Sequence, residues 1–387
     1  MYLKDTITAM RKYILFPLPF FMAACSVTHQ NTSHAKPVII GYVGGYRGIA
    51  DVESVDAVRL SHINYAFVDI KDNRAWLHNE ATDTINLRKL VELKQRNPAI
   101  KILISIGGWT WSKNFSDATL TDTSRKNFAE SAVNIVAAYK LDGIDIDWEY
   151  PGMQGDSNVY RPEDKGHYTL LFKELRSGLD ELAKRTHQTY FVTTAVGGSY
   201  DYIAHTEMDK VAQYCDYINV MSYDYADGSD SISGHHTNLF GSGNDTSRYS
   251  ADKSIKAFLA AGVPSQKIVI GMAFYGKGWQ MATSDNNGLY AKAVGPARGG
   301  GFTRIKDSLE SKSGFVRYWD EAAQAPYLFN ADKKIFISYD DETSVKMKCN
   351  YVKDHHLGGA MFWEYSSDKK EYLLKVIANE FGYVSAR

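Results

Sequence analysis

Eight short apolar runs rich in β-branched residues are spread along the chain: Val38–Val43, His62–Val68, Ile102–Ile106, Gly143–Trp148, Phe191–Val196, Tyr217–Met221, Ile268–Phe274 and Gly359–Trp363. Between most of them lie amphipathic stretches that read as helices: Ile85–Arg96, Ser124–Tyr139, Tyr168–Thr186, Ala251–Ala261 and Ser344–Asp354. A further one, Lys370–Phe381, follows the last run. A helix between two strands returns the chain to the end from which it started, so the alternation dictates a parallel sheet of the α/β class. Eight such units close into a (β/α)8 TIM barrel. A doubly wound sheet would carry a glycine-rich phosphate turn after its first strand, and Gly44-Gly45-Tyr46-Arg47-Gly48 lacks that spacing.

The segment between the seventh and eighth runs is far longer than a βα loop and holds strand-like pieces of its own, Tyr327–Asn330 and Ile335–Tyr339. Residues 277–338 therefore read as an inserted α+β subdomain. Barrel active sites lie at the carboxyl ends of the strands, so an insertion there walls one side of the site and deepens it into a cleft. The expected organisation is 1–25 as an export signal, 26–36 as a polar tether and 37–387 as the barrel with its insertion.

The export reading rests on Arg11 and Lys12 ahead of the apolar run Tyr13–Ala24, which is about half the length needed to span a bilayer and contains Pro17 and Pro19. Met22-Ala23-Ala24-Cys25-Ser26 resembles a bacterial lipobox, which makes Cys25 a candidate for lipidation; a plain cleaved signal with a chance cysteine is the other reading. Met10 lies directly before Arg11 and would start a more compact signal than Met1 does. The protein is expected outside the cytoplasm, with any membrane contact made through that lipid, and as a monomer. Cys215 and Cys349 are too few and too far apart for a disulfide framework or a zinc site. The pairs His235-His236 and His355-His356 do not make a metal site either: adjacent residues on extended backbone point opposite ways, and no carboxylate or cysteine cluster completes a ligand set. They read as solvated or core histidines, and no metal or cofactor is expected. With 44 Lys plus Arg against 45 Asp plus Glu, no overall field recruits a polyanion, which argues against nucleic acid. The 26 Tyr and 7 Trp suit surfaces that stack on flat ligand faces such as sugars.

The chemistry concentrates in Asp142-Gly143-Ile144-Asp145-Ile146-Asp147-Trp148-Glu149 at the end of the fourth strand. Its carboxylates at 145, 147 and 149 alternate, so they share one face and rise toward the catalytic mouth at roughly 6–7 Å intervals. Ile144, Ile146 and Trp148 occupy the other face, which argues for a strand buried on both sides over a solvated acidic end. Like charges this close in a partly desolvated interior retain protons at neutral pH, and a protonated carboxyl is what a general acid requires.

At this point the chain resembles the family 18 glycoside hydrolases, whose Asp-x-x-Asp-x-Asp-x-Glu motif is complete here. The resemblance extends to Ser105-Ile106-Gly107-Gly108-Trp109, Met221-Ser222-Tyr223-Asp224, Ala273-Phe274-Tyr275-Gly276 and Met361-Phe362-Trp363-Glu364, and covers about residues 38–381. The region holding Tyr318-Trp319-Asp320 and Tyr339-Asp340-Asp341 looks like the insertion of deep-groove bacterial chitinases. The resemblance implies hydrolysis of β-1,4-linked N-acetylglucosamine in chitin or chitooligosaccharides by a substrate-assisted, retaining route without a protein nucleophile. It makes Glu149 the acid, has Asp147 and Tyr223 orient the substrate acetamide, and gives Asp145 the task of tuning Asp147. Trp363 becomes the floor, Met221, Asp224, Tyr42, Phe67 and Tyr275 the lining, and Gly107 and Gly108 a close backbone approach. Trp109 and Trp279 are candidates for stacking neighbouring sugars, whereas Trp148 is expected to pack outward between strand and helices. The stretch Tyr225-Ala226-Asp227-Gly228-Ser229 lacks a tryptophan that some members carry nearby, which implies more open product-side subsites. Two rival readings are a lectin on the same barrel, against which the retained Glu149 argues, and an endo-acting N-acetylglucosaminidase on glycoprotein glycans.

Overall fold

A computed structural model of the chain describes residues 36–242 and 249–383. The expected export signal, Cys25 and nearly all of the tether lie outside the described residues. Eight parallel strands form the barrel: Val38–Gly44, His62–Lys71, Lys101–Gly107, Gly143–Asp147, Phe191–Gly197, Tyr217–Met221, Ile268–Ala273 and Gly359–Trp363. Each pairs with its neighbour in chain order, and the eighth returns to pair with the first, so the sheet closes. Their sequences are nearly continuous apolar runs because both faces are covered, by helices outside and by side chains inside. Val38, Ile40, Tyr42, Ala195, Val269 and Met361 fill the interior, while the larger outer layer packs strands against helices.

The main helices are Glu80–Glu92, Asp122–Tyr139, Asp164–Thr186, Ala251–Ala260, Glu342–Asp354 and Tyr372–Glu380. Asp122–Tyr139 opens on a capping box between Thr121 and Ser124, and Glu342–Asp354 on one between Asp341 and Ser344, so their first-turn N–H groups are satisfied locally. The crossovers depart from the ideal in two places. After the first strand the chain makes only two short 3-10 turns, Val52–Ser54 and Ala57–Arg59. After the fifth it makes two short helices, Tyr200–Ala204 and Met208–Tyr214, each too brief to show a 3.6-residue period in the sequence.

The insertion is a five-stranded antiparallel sheet of Tyr275–Met281, Ala293–Gly301, Val316–Asp320, Ala325–Asn330 and Ile335–Ser338. It begins two residues before the expected 277, because Tyr275 already pairs with Gly301. Its core is formed by Trp279, Met281, Leu289, Tyr327, Phe329 and Phe336. Among the described residues no helix is long and apolar enough to cross a membrane, and no group of three His, Cys, Asp or Glu could hold a metal ion.

Candidate active site

The fourth strand carries its carboxylates up the barrel interior in order of increasing exposure: Asp145 at 0%, Asp147 at 4% and Glu149 at 8%. Asp145 sits opposite Ser105 and Thr193 on the flanking strands. It accepts hydrogen bonds from Ser105 Oγ at 2.7 Å, Thr193 Oγ1 at 2.5 Å, Tyr42 Oη at 3.0 Å and Asn219 Nδ2 at 3.2 Å. Burial raises its pKa even so, against the pull of those four donors. Asp147 has fewer restraints. Its Oδ1 is buried with no hydrogen-bond partner among the described residues. Burial first, then the charges of Glu149 and Asp145, push its pKa well above the ordinary carboxylate range. Glu149 is pushed up to about 7, chiefly by burial, with the Asp224 charge adding to the effect and a Tyr150 hydrogen bond opposing it. Its backbone N–H donates to Ser112 Oγ at 2.9 Å.

Above this ladder lies a cavity of about 900 Å³ lined by aromatic rings and a few converging polar groups. Trp363 forms one side, with Phe67 stacked 5.3 Å away, Tyr46 stacked at 6.1 Å and Tyr42 tilted at 5.8 Å. Asp224 follows the sixth strand with φ +59°, a left-handed turn that aspartate tolerates better than most residues. Its Oδ1 accepts from Tyr275 Oη at 2.6 Å and lies 3.0 Å from Lys277 Nζ. Partial desolvation by the surrounding groove opposes ionisation there, but His236, Lys277 and Tyr275 together hold the carboxyl down to about 2. Tyr275 and Lys277 belong to the first insertion strand, so the insertion supplies one wall of the cavity.

The arrangement sets Glu149, whose carboxyl is pushed up to about 7, in one groove with the ionised Asp224, at the carboxyl ends of barrel strands and among aromatic rings. The sequence profile described as glycosyl hydrolases family 18 matches residues 38–368. The chain belongs to this family. It is 36% identical to Chitinase A1 of Niallia circulans over 87% of the chain, and spans 57% of the length of that relative. It is 28% identical to Chitinase B of Serratia marcescens, over 83% of the chain and 76% of that protein. Among solved structures, a family 18 N-acetylglucosaminidase from Paenibacillus barengoltzii superposes with a TM-score of 0.83 at 41% identity, covering 89% of this chain and 99% of that one. Chitinase ChiA74 from Bacillus thuringiensis superposes with a TM-score of 0.84 at 32% identity, covering 91% and 71% respectively.

Within this family 18 site the structure brings Asp147, Glu149, Tyr223, Asp224, Met221, Tyr42, Phe67, Gly107, Trp109, Tyr275 and Trp363 around one cavity, with Asp145 beneath them. Gly107 has φ +110°, and a Cβ there would meet the Asp147 carbonyl oxygen at 2.2 Å; at Gly108, φ +79°, it would meet the Phe67 ring at 2.5 Å. Both glycines thus let the third strand close on its neighbours. Tyr42 presents its ring to the cavity while its hydroxyl is committed to Asp145. Trp148 packs outward, stacked on Phe115 at 5.0 Å and edge-on to Tyr168 at 5.8 Å.

Trp279 does not stack on sugars in the groove as the resemblance implied. It is fully buried in the insertion core, edge-on to Phe336 at 5.6 Å, and lines no part of the cavity. A small antiparallel sheet needs an apolar centre of its own, and burying one indole supplies on the order of 2–3 kcal/mol toward it. Trp109, by contrast, is 52% exposed at the rim. The cavity also takes in Tyr46, Trp111, Tyr150, Asp227 and Lys277, which sequence reasoning missed. Each lies within a few residues of a strand end that it did identify, so extending the search into the first residues of every βα loop would have found them.

Proposed function

We propose that this chain is a chitinase that cleaves β-1,4-linked N-acetylglucosamine polymers and oligosaccharides with retention of anomeric configuration. The observation that carries the reading is the ladder itself: Glu149 is pushed up to about 7 in the cavity wall, one alternate residue above an Asp147 whose Oδ1 lacks a partner among the described residues. Glu149 donates its proton to the leaving glycosidic oxygen as the substrate's own 2-acetamido carbonyl attacks the anomeric carbon. Asp147 Oδ1 accepts the acetamide N–H and holds the carbonyl in line, and Tyr223 donates to the acetamide oxygen. Asp145, fixed by four donors, keeps Asp147 in register. Water then opens the cyclic intermediate, with Glu149 now the base. Trp363 carries the sugar at the cleavage point and Trp109 a neighbouring one. Residues 1–25 direct export in this reading, Cys25 is the lipid attachment site, and the enzyme acts as a monomer.

The N-acetylglucosaminidase resemblance favours a second reading, in which single sugars are released from chain ends. Early products from chitohexaose separate the two: internal cleavage yields mixed oligomers, whereas end-removal yields the monosaccharide and chitopentaose. NMR at early times is expected to show the β-anomer first. An initial α-anomer would exclude retention, and binding without cleavage would turn the reading to a lectin.

The working pH range follows from Glu149. A general acid is active while protonated, so kcat/KM is expected to fall above about pH 7, where Glu149 loses its proton in the free enzyme. Asp224 stays ionised throughout that range, its carboxyl being held down to about 2. Initial rates on a fluorogenic chitooligosaccharide between pH 4 and 9 check this; an alkaline limb near the ordinary glutamate value would remove Glu149 from the acid role.

A further inference from the structure

The loop that leaves the sixth strand carries the adjacent histidines His235 and His236, which no step above uses. Both are buried, at 2% and 0% exposure, and their side chains leave the backbone toward different aspartates. His235 Nε2 lies 3.2 Å from Asp320 Oδ2 at the end of the insertion strand Val316–Asp320, with the ring edge-on to Tyr290 and Tyr327. His236 Nδ1 lies 3.5 Å from Asp224 Oδ1, and its ring centre is 5.3 Å from that of Tyr275. The backbone repeats the connection: the N–H of Tyr225, the residue after Asp224, donates to the His236 carbonyl at 3.1 Å. The His236 N–H in turn donates to Ser338 Oγ at 3.0 Å, on the last insertion strand.

We propose that His236 is a positioning residue for hydrolysis: by its ring against the carboxylate and its carbonyl against the next N–H, it fixes Asp224 beside Glu149, while His235 and Asp320 fasten the same loop to the insertion. The proposal rests on the hydrolytic reading above and adds to it a residue that touches no substrate.

Asp224 needs such a support. It stands on a left-handed turn with 46% of its side chain exposed, and an unrestrained carboxylate there would sample several rotamers. Tyr275 and Lys277 hold it from the insertion side, and His236 holds it from the returning limb of its own loop. The charged groups facing His236 are Asp224, Lys277 and Asp340, and Asp340 is already bound by Lys348 at 2.6 Å. Burial lowers the imidazole pKa below its ordinary value despite the two aspartates, so the ring is neutral at pH 7 and above. The 3.5 Å contact from Nδ1 to Asp224 Oδ1 is longer than a formed hydrogen bond, and both ring nitrogens are buried without a hydrogen-bond partner among the described residues, so the neutral ring confines Asp224 by packing against it and leaves its charge intact. That charge helps to keep Glu149 protonated, so displacement of Asp224 weakens the acid.

The test is a double-mutant cycle of His236→Phe and Asp224→Asn, read as kcat/KM on chitotetraose across pH, with thermal melts of every variant. His236→Phe is expected to lower kcat/KM about tenfold and move the alkaline limb to lower pH, yet to cost less than about twofold when Asp224 is already Asn. His236→Asn, whose amide nitrogen falls near the place of Nδ1, is expected to recover most of the loss; it and His236→Gln replace the Phe variant in the cycle if that variant does not fold. Equal losses in both backgrounds, or a limb that does not move, overturn the proposal. Absence of cleavage by the wild type in the same assay defeats the hydrolytic reading and this one with it, whereas wild-type cleavage with additive losses defeats this one alone.

Discussion

Glu149→Gln is expected to lower kcat/KM on chitin oligosaccharides by about a thousandfold or more, near 4 kcal/mol of transition-state stabilisation, while leaving oligosaccharide binding in place. The amide keeps the shape of the acid but has no proton to give to the leaving oxygen. The same substitution is expected to stabilise the fold at alkaline pH. Glu149 is buried and its folded pKa is about 7, above the ordinary 4.5, so the folded state binds the proton more tightly than the unfolded one. Below about pH 4.5 the carboxyl is protonated in both states and costs nothing. As pH rises from there to about 7 the unfolded chain ionises first, and the wild type loses up to roughly 3 kcal/mol relative to the glutamine variant. Urea denaturation at pH 5 and pH 8 checks this. A variant that loses activity and is equally destabilised at both pH values would mean that Glu149 supports structure and not proton transfer.

The place of Glu149, the proposed acid, was legible in the sequence because a strand has period two. Asp145, Asp147 and Glu149 had to share a face once Ile144, Ile146 and Trp148 were assigned to the other, and eight strand–helix units left a barrel mouth as their destination. The partners of those residues were less accessible. Asp145 is bound by groups from the first, third, fifth and sixth strands, as far apart in sequence as Tyr42 and Asn219, and no local pattern records such convergence. Trp279 misled for the complementary reason. Alternation from Tyr275 and Lys277 keeps it on the groove side of its strand, but by that point Ala226 and Phe336 share its cluster and the groove has ended. His235 and His236 were legible as oppositely directed, with solvated and core positions both left open. Which carboxylates they meet depends on how an 11-residue excursion from Asp224 folds back, and turn chemistry does not specify that.

Asp340→Leu is expected to destabilise the protein by about 3–5 kcal/mol, the cost of leaving a buried ammonium without its counter-charge. Asp340 and Lys348 are both fully buried, with Lys348 Nζ 2.6 Å from Asp340 Oδ2 and 2.7 Å from Thr237 Oγ1. Thr237 donates to the same carboxylate at 2.8 Å, and Ser344 Oγ donates to its other oxygen at 2.7 Å. The cluster therefore ties three segments together: the end of the insertion, the helix Glu342–Asp354 and the loop that carries His235 and His236. Two desolvated charges gain little net energy over an apolar pair of the same volume, so Asp340→Leu combined with Lys348→Met is expected to regain most of the lost stability. Urea midpoints for the two single variants and the double variant measure this. Activity is expected to part from stability in the double variant, because the introduced leucine and methionine side chains can fill space but cannot hold the Thr237 hydroxyl, and Thr237 is the residue next to His236. A double variant restored in both stability and kcat/KM would show that the pair serves the core alone. One restored in stability but impaired in kcat/KM would show that a polar anchor is what keeps the loop, and through it Asp224, at the groove.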